Sequence, residues 1–320
     1  MADTSSIRGS DNGEAKDPSF EDFAAQNPDS DLCTLTAQLL QSIVDERSVN
    51  IELLEQVIVP VFVELRSSPT QQLSWYFPQN GSDYRALHAL NASRLAMHFA
   101  RESGLDDGRV VQLGTIGLLY DVGMWSKDLS FVLEPKVFEH DEMSQVEAHT
   151  AQGADLLEAA GDVDPLVVTV AREHHERADG TGYPAKSAAD AQHPYSRLFQ
   201  IIDSFLGMIE PRPFRKALTP TEAMQRIAVQ AQRGYYHLPS FRDWLKVMGV
   251  YPVGSFVTLN TGELAIIKSS GGESLRRPKV LVIADELLDF RPRPLELDLT
   301  EESAFEVDKA FTKFPKVKKK

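Results

Sequence analysis

The chain has 320 residues, 42% of them hydrophobic and 25% charged, with a formal net charge of -14. That length holds one large domain with a smaller companion, and the composition is that of an ordinary globular protein. An acidic chain is a poor nonspecific binder of nucleic acid or anionic membrane, so neither DNA nor a membrane is expected as a partner. The single cysteine, Cys33, excludes an intrachain disulfide. The first residues carry no apolar core of signal-peptide type, and no apolar run is long enough to span a bilayer, so a cytoplasmic location is expected.

Residues 1–30 are rich in Asp, Ser, Gly and Asn and read as a disordered tail. A helical N-terminal region and linker follow over 31–81. Leu35, Leu39 and Ile43, then Leu54, Ile58 and Val59, recur at helical spacing, and Pro60 is expected to kink or divide this region. A main helical domain spans 82–250. Asp83 caps a helix ending at Gly104, and a second helix runs from Asp107 to Tyr120. A third runs from near Asp141 to Gly161. Asp164-Pro165 starts a fourth, Pro194 a fifth reaching Ile209, and Thr219-Pro220-Thr221-Glu222 a sixth with capping-box spacing. Over 251–290 the period changes to three β-rich runs separated by Asn-Thr-Gly and Ser-Ser-Gly-Gly, the pattern of a small antiparallel sheet. Residues 291–320 read as a C-terminal tail, basic at its end. The fold class expected is therefore mainly α, a helical bundle with a small C-terminal antiparallel β extension.

The informative residues are polar ones on faces that should be apolar. His88 shares a stripe with Asn91, Ala92, Leu95 and Phe99. Asp121 ends the run LGTIGLLY, and His149 is in register with Val146, Gly153 and Leu156. His174 and His175 follow LVVTVA, and Asp203 lies among Leu198, Phe199, Ile202 and Leu206. A lone histidine on such a face is usually a satisfied core residue. A buried unpaired carboxylate costs several kcal/mol, however, so the aspartates need partners. Two aspartates and four histidines on successive inner faces share one economical explanation, a metal centre, since imidazole and carboxylate suit Fe, Mn or Zn.

The segment HHERADGTGYP, His174 to Pro184, closely resembles the signature of the HD-GYP family, cyclic di-GMP phosphodiesterases of the HD superfamily. Other motifs follow in the family's order. His88-Ala89-Leu90-Asn91 looks like its first-helix histidine motif, Asp121 with Gly123 like the end of its HD motif, and Asp203 like its late metal-binding aspartate. Arg212-Pro213-Phe214-Arg215 looks like its phosphate-binding element, and Tyr251 to Ala265 like its β extension. The resemblance covers roughly His88 to Asp285.

It implies an HD-type bundle and a ligand set of His88, Asp121, His149, His174, His175 and Asp203 for two divalent metal ions, iron or manganese ahead of zinc. Asp121 would bridge the ions and be the catalytic carboxylate. Occupancy by one ion through Asp121, His149, His174 and His175 is the alternative. Two ions about 3.5–4 Å apart clamp both oxygens of a phosphodiester displacement. Arg212 and Arg215 would fork onto ligand phosphates, with Tyr183 and Gly182 beside the ligand. Gly180 and Gly182 are expected to take positive φ in the turn.

Three positions depart from the family pattern: Tyr120 replaces the histidine of the His-Asp pair, Tyr84 a glutamate that supports a third metal in some members, and Met124 a lysine. The implied activity is hydrolysis of cyclic di-GMP to pGpG or GMP. A catalytically silent cyclic di-GMP receptor is the alternative, and a scaffold that binds no nucleotide a third reading. Residues 31–81 are a candidate contact for a protein partner or a homodimer.

Overall fold

The computed structural model describes residues 30–67, 83–134, 136, 138–212, 216–270 and 274–311. The expected tail over 1–29, the linker around Trp75, Arg215 and the basic C-terminal end fall outside the described residues. The architecture is mainly α with a C-terminal antiparallel sheet. Two helices, α1 (Ser30–Glu46) and α2 (Ile51–Ser67), pack on the bundle through Leu39, Leu40, Ile43, Val57 and Val61. Pro60 sits inside α2 without dividing it, contrary to the sequence expectation. Its position faces solvent, where water can satisfy the carbonyl that the missing N–H leaves free.

Helices α3 (Tyr84–Glu102) and α4 (Asp107–Leu119) form the closest pair in the bundle. Their N-caps are as expected, with Asp83 accepting from Arg85 N–H and Asp106 from Arg109 N–H. Two short 3-10 helices, Val122–Trp125 and Lys127–Leu133, carry the chain round the end of the bundle. The expected single helix over 141–161 is two: α5 (His140–Glu147) and α6 (His149–Ala160), separated at Ala148. The break sets His149 at the first residue of a new helix rather than in the middle of a long one.

Helix α7 (Pro165–Glu173) begins on Asp164, whose side chain accepts from Leu166 N–H, and α8 (Pro194–Ile209) begins on Pro194. Helix α9 (Pro220–Gln232) starts at Thr219 as expected. A further helix, α10 (Leu238–Met248), was not foreseen, although Pro239 near its start and Phe241, Trp244, Leu245 and Met248 carry the spacing for it. Trp244 is fully buried and packs on Phe99 and Phe205 with ring centroids 6.3 and 5.7 Å away. Truncating a core aromatic of this kind costs roughly 3–5 kcal/mol.

The sheet is larger than its sequence suggests. Strands β1 (Phe256–Leu259), β2 (Leu264–Ser269), β3 (Lys279–Ala284), β4 (Phe290–Asp298) and β5 (Val307–Ala310) form one five-stranded antiparallel sheet in the order β4-β3-β2-β1-β5. Residues 291–310, expected as part of a tail, thus supply both edge strands. The run Arg291-Pro292-Arg293-Pro294 hid β4, because prolines argue against a central strand but are tolerated at an edge. A hydrogen bond from Thr219 Oγ1 to Phe311 O ties the end of the sheet to the start of α9.

Candidate metal centre

Five helices deliver the six residues singled out in the sequence to one end of a cavity of about 470 Å³, lined among others by Asp121, His149, His175, Asp203 and Arg212. His88 comes from the N-terminal part of α3, Asp121 from just past α4, and His149 from the start of α6. His174 caps α7 with His175 next to it, and Asp203 comes from α8. Gly123 permits the approach of α6: a Cβ there would collide with the backbone carbonyl of His149. The cluster separates into two halves of different chemistry.

In the first half, His149 Nδ1 donates to Val146 O and His174 Nδ1 donates to Ala171 O at 2.9 Å. Those backbone acceptors fix the tautomers, so each ring turns a bare Nε2 lone pair inward. The two Nε2 atoms are 3.1 Å apart, and Asp121 Oδ1 lies 3.2 Å from the first and 3.9 Å from the second. Asp121 Oδ1 is buried without a hydrogen-bond partner among the described residues. His149, His174 and His175 each offer a ring nitrogen within 4.8 Å of the others. Ring nitrogens and a carboxylate oxygen this close together call for a cation between them, and neutral imidazoles with a carboxylate are metal ligands. Burial, reinforced by the neighbouring His175 and His149, lowers the pKa of His174 to about 3. Burial likewise lowers that of His175 to about 3. Both rings are therefore neutral at physiological pH, the form that binds a metal. Burial also opposes a charge on His149, but Asp121 outweighs it and raises the pKa, so this pair draws in a cation, whether proton or metal.

The second half is already satisfied. His88 Nδ1 contacts Glu210 Oε2 at 2.7 Å, and its Nε2 contacts the Tyr120 hydroxyl at 2.7 Å. That hydroxyl donates to Asp203 Oδ1 at 3.1 Å, which itself lies 3.2 Å from His88 Nε2. Glu210 Oε1 accepts from Asn91 Nδ2 at 2.7 Å. Burial disfavours the charged form of His88, but Glu210 and Asp203 more than offset it and raise its pKa to about 10. Burial and the nearby Asp203 carboxylate hold the Tyr120 phenol well above its usual pKa, so it stays protonated. Its ring is wedged edge-on against His174, with centroids 4.7 Å apart, and against Phe199.

Around the centre, Tyr183 stacks on His175 with centroids 4.9 Å apart and lines the cavity. Gly182 does not line it. A Cβ there would strike the backbone of residues 175–177, and of the two turn glycines only Gly180 has positive φ, at 76°. Gly182 is thus required for close backbone approach, which corrects the expectation of a positive φ. Arg212 reaches the cavity with its guanidinium over the Tyr84 ring, 5.1 Å from the centroid. Arg177 also lines the cavity and stacks over Tyr235. Met124, Val132, Phe138 and Val146 add apolar surface to the cavity lining.

The sequence reading passed over Glu210, Asn91, Arg177 and Glu176. Glu176 is buried and accepts from the backbone N–H groups of Ala185 and Ser187, at 2.6 and 2.9 Å, pinning the loop after the paired histidines. Its place beside His174-His175 was the one available signal. Glu210 gave none, because its partner lies 122 residues away in the chain.

A family model described as HD domain matches residues 64–237, more than half of the chain. The chain belongs to the HD domain family. Among its relatives, the Pseudomonas aeruginosa protein named cyclic di-GMP phosphodiesterase PA4108 is 32% identical over 214 residues, 67% of this chain and 51% of that protein. The Vibrio cholerae 3'3'-cGAMP-specific phosphodiesterase 1 is 27% identical over 45% of this chain and 33% of its own length. The Xanthomonas campestris cyclic di-GMP phosphodiesterase response regulator RpfG is 30% identical over 48% and 40%. This HD domain chain therefore spans about half, or less, of the length of these curated relatives. Among solved structures, Bd1817, an HDG"Y"P protein from Bdellovibrio bacteriovorus, matches with a TM-score of 0.50 at 16% identity over 68% of this chain and 72% of that one, a likeness of fold. No helix among the described residues is long and apolar enough to cross a membrane.

Proposed function

We propose that this HD domain protein is a metal-dependent phosphodiesterase that opens cyclic di-GMP, acting in the cytoplasm. The observation that carries the reading is the convergence of His149 Nε2, His174 Nε2 and Asp121 Oδ1 beside a cavity, with the carboxylate oxygen left without a hydrogen bond among the described residues. These residues with His175 would hold a divalent ion, iron or manganese by the donor set. Such an ion polarises a phosphoryl oxygen and lowers the pKa of a bound water towards ~7.

The protein's own groups do the rest. Asp121 is placed to orient the attacking water and to accept its proton. Arg212 and Arg177 offer guanidinium groups to phosphate oxygens, one held by Tyr84 and the other by Tyr235. Two cations suit a ligand with two phosphates. The apolar lining from Met124 to Val146, together with the Tyr183 ring, gives a purine face a surface on which to pack. The relatives named for cyclic di-GMP and for 3'3'-cGAMP support a cyclic dinucleotide as the substrate class.

The Tyr120 hydroxyl between His88 and Asp203 favours a second reading, a receptor that binds cyclic di-GMP without turnover. Reconstitution with Fe(II) or Mn(II), followed by chromatography of products from cyclic di-GMP and 3'3'-cGAMP, separates the two. Linear product that disappears on chelation is the expected result. Nucleotide binding with no product under either metal would leave the receptor, and neither binding nor product would overturn both.

A further inference from the structure

We infer that this centre takes one divalent ion, and that the buried chain Glu210–His88–Tyr120–Asp203 stands where a second would be. The inference rests on the metal-dependent reading above and sharpens it. A second ion would have to be gripped by His88 Nε2 and Asp203 Oδ1, which are 3.2 Å apart. The Tyr120 hydroxyl already bridges those two atoms, at 2.7 and 3.1 Å. It has no room to withdraw, because Tyr120 is 1% exposed and its ring is held between His174 and Phe199.

The far side of His88 is equally committed. Glu210, 4% exposed, takes its Nδ1, and Asn91 takes the other oxygen of Glu210. A metal-binding histidine commonly leans on a carboxylate in this way, so Glu210 alone would suit either role. What decides is the inner nitrogen. In the first half the inner nitrogens face only acceptors, whereas here the inner nitrogen meets a hydroxyl. His88 Nε2 and Asp203 Oδ1 are both engaged by the hydroxyl, and an ion arriving there would have to break two buried hydrogen bonds before making a bond of its own. Asp203 Oδ2 is the one carboxylate oxygen of the half left facing inward, 3.9 Å from His175 Nδ1. Asp203 can therefore steady the occupied position from its edge without a second ion beside it.

The test is elemental analysis of the full chain after anaerobic reconstitution with excess Fe(II) or Mn(II) and desalting. One metal per chain is expected. Two per chain would overturn this inference and leave the metal-dependent reading standing, whereas none would overturn both. His174→Ala should lower the count from one to zero. His88→Gln should leave it at one, and a loss of metal in that variant would place His88 among the ligands and refute the inference. Should His88→Gln fail to fold, Tyr120→Phe serves as the second variant: with the blocking hydroxyl gone the count should not fall below one, and a fall to zero would place Tyr120 among the ligands and refute the inference. Visible spectra of the air-oxidised iron protein add an independent readout. A phenolate-to-iron charge-transfer band that vanishes in Tyr120→Phe would show Tyr120 ligating metal, and would also overturn the inference.

Discussion

The two halves of the centre are built from the same residue types, histidine and aspartate, yet they are in opposite electrostatic states. Around His149, His174 and Asp121, lone pairs point at one another and the carboxylate oxygen is unsatisfied. Around His88 and Asp203, a phenol and a second carboxylate occupy both nitrogens of His88 and one oxygen of Asp203. A buried polar group left without a partner costs about 1–3 kcal/mol, more if charged. The first half is therefore unfavourable unless a cation is supplied, and the second is complete without one. Counting potential ligands does not separate these states. Following each ring nitrogen to its hydrogen-bond partner does.

The comparison can be broken most severely at His174. His174→Ala should abolish metal binding and lower turnover by at least about 10²–10³-fold, the cost of losing a single strong electrostatic stabiliser. Far-UV circular dichroism should remain helical, and steady-state kinetics measures the loss. Next in size is Arg212→Ala. Hydrogen bonds to charged groups contribute about 1.5–3 kcal/mol, so KM for the dinucleotide should rise roughly 10–100-fold with metal content unchanged. Glu176→Ala should act on stability first. Losing two buried bonds to the loop amides should cost about 2–4 kcal/mol, read as a fall in Tm of the metal-free protein.

A further effect is a pH dependence that belongs to the second half. The pKa of His88 is raised from 6.5 to about 10 by its carboxylate neighbours, against the effect of burial. The folded state thus holds a proton that the unfolded chain releases above 6.5. The stabilisation is complete below that pH and is lost as pH climbs towards 10. Thermal melts of the metal-free protein should show this alkaline decline, and His88→Gln should flatten it. A decline of equal slope in the variant would place the titrating group elsewhere.

Much of the bundle was legible in the chain because helix ends are local. Asp83, Asp164-Pro165 and Thr219-Pro220 each start a helix within a residue of the sequence reading. The six candidate ligands were legible for a related reason, since each breaks the apolar stripe of its own helix. The pairing of those ligands was not. Whether His88 meets an ion or a hydroxyl depends on Tyr120, 32 residues on, and on Glu210 at the end of another helix. No local pattern carries that information. The missed helix α10 carried both the spacing and a proline near its start. Strand β4 was missed because its prolines carry a local meaning that edge position reverses.

Those prolines bear on how the molecule meets its neighbours. Pro292 and Pro294 lie in β4, the outermost strand on one side of the sheet. Neither has an N–H to offer, so this margin is a poor template for another chain to add itself as a further strand. The flank of the sheet is in effect a hem, finished so that the fabric does not run on.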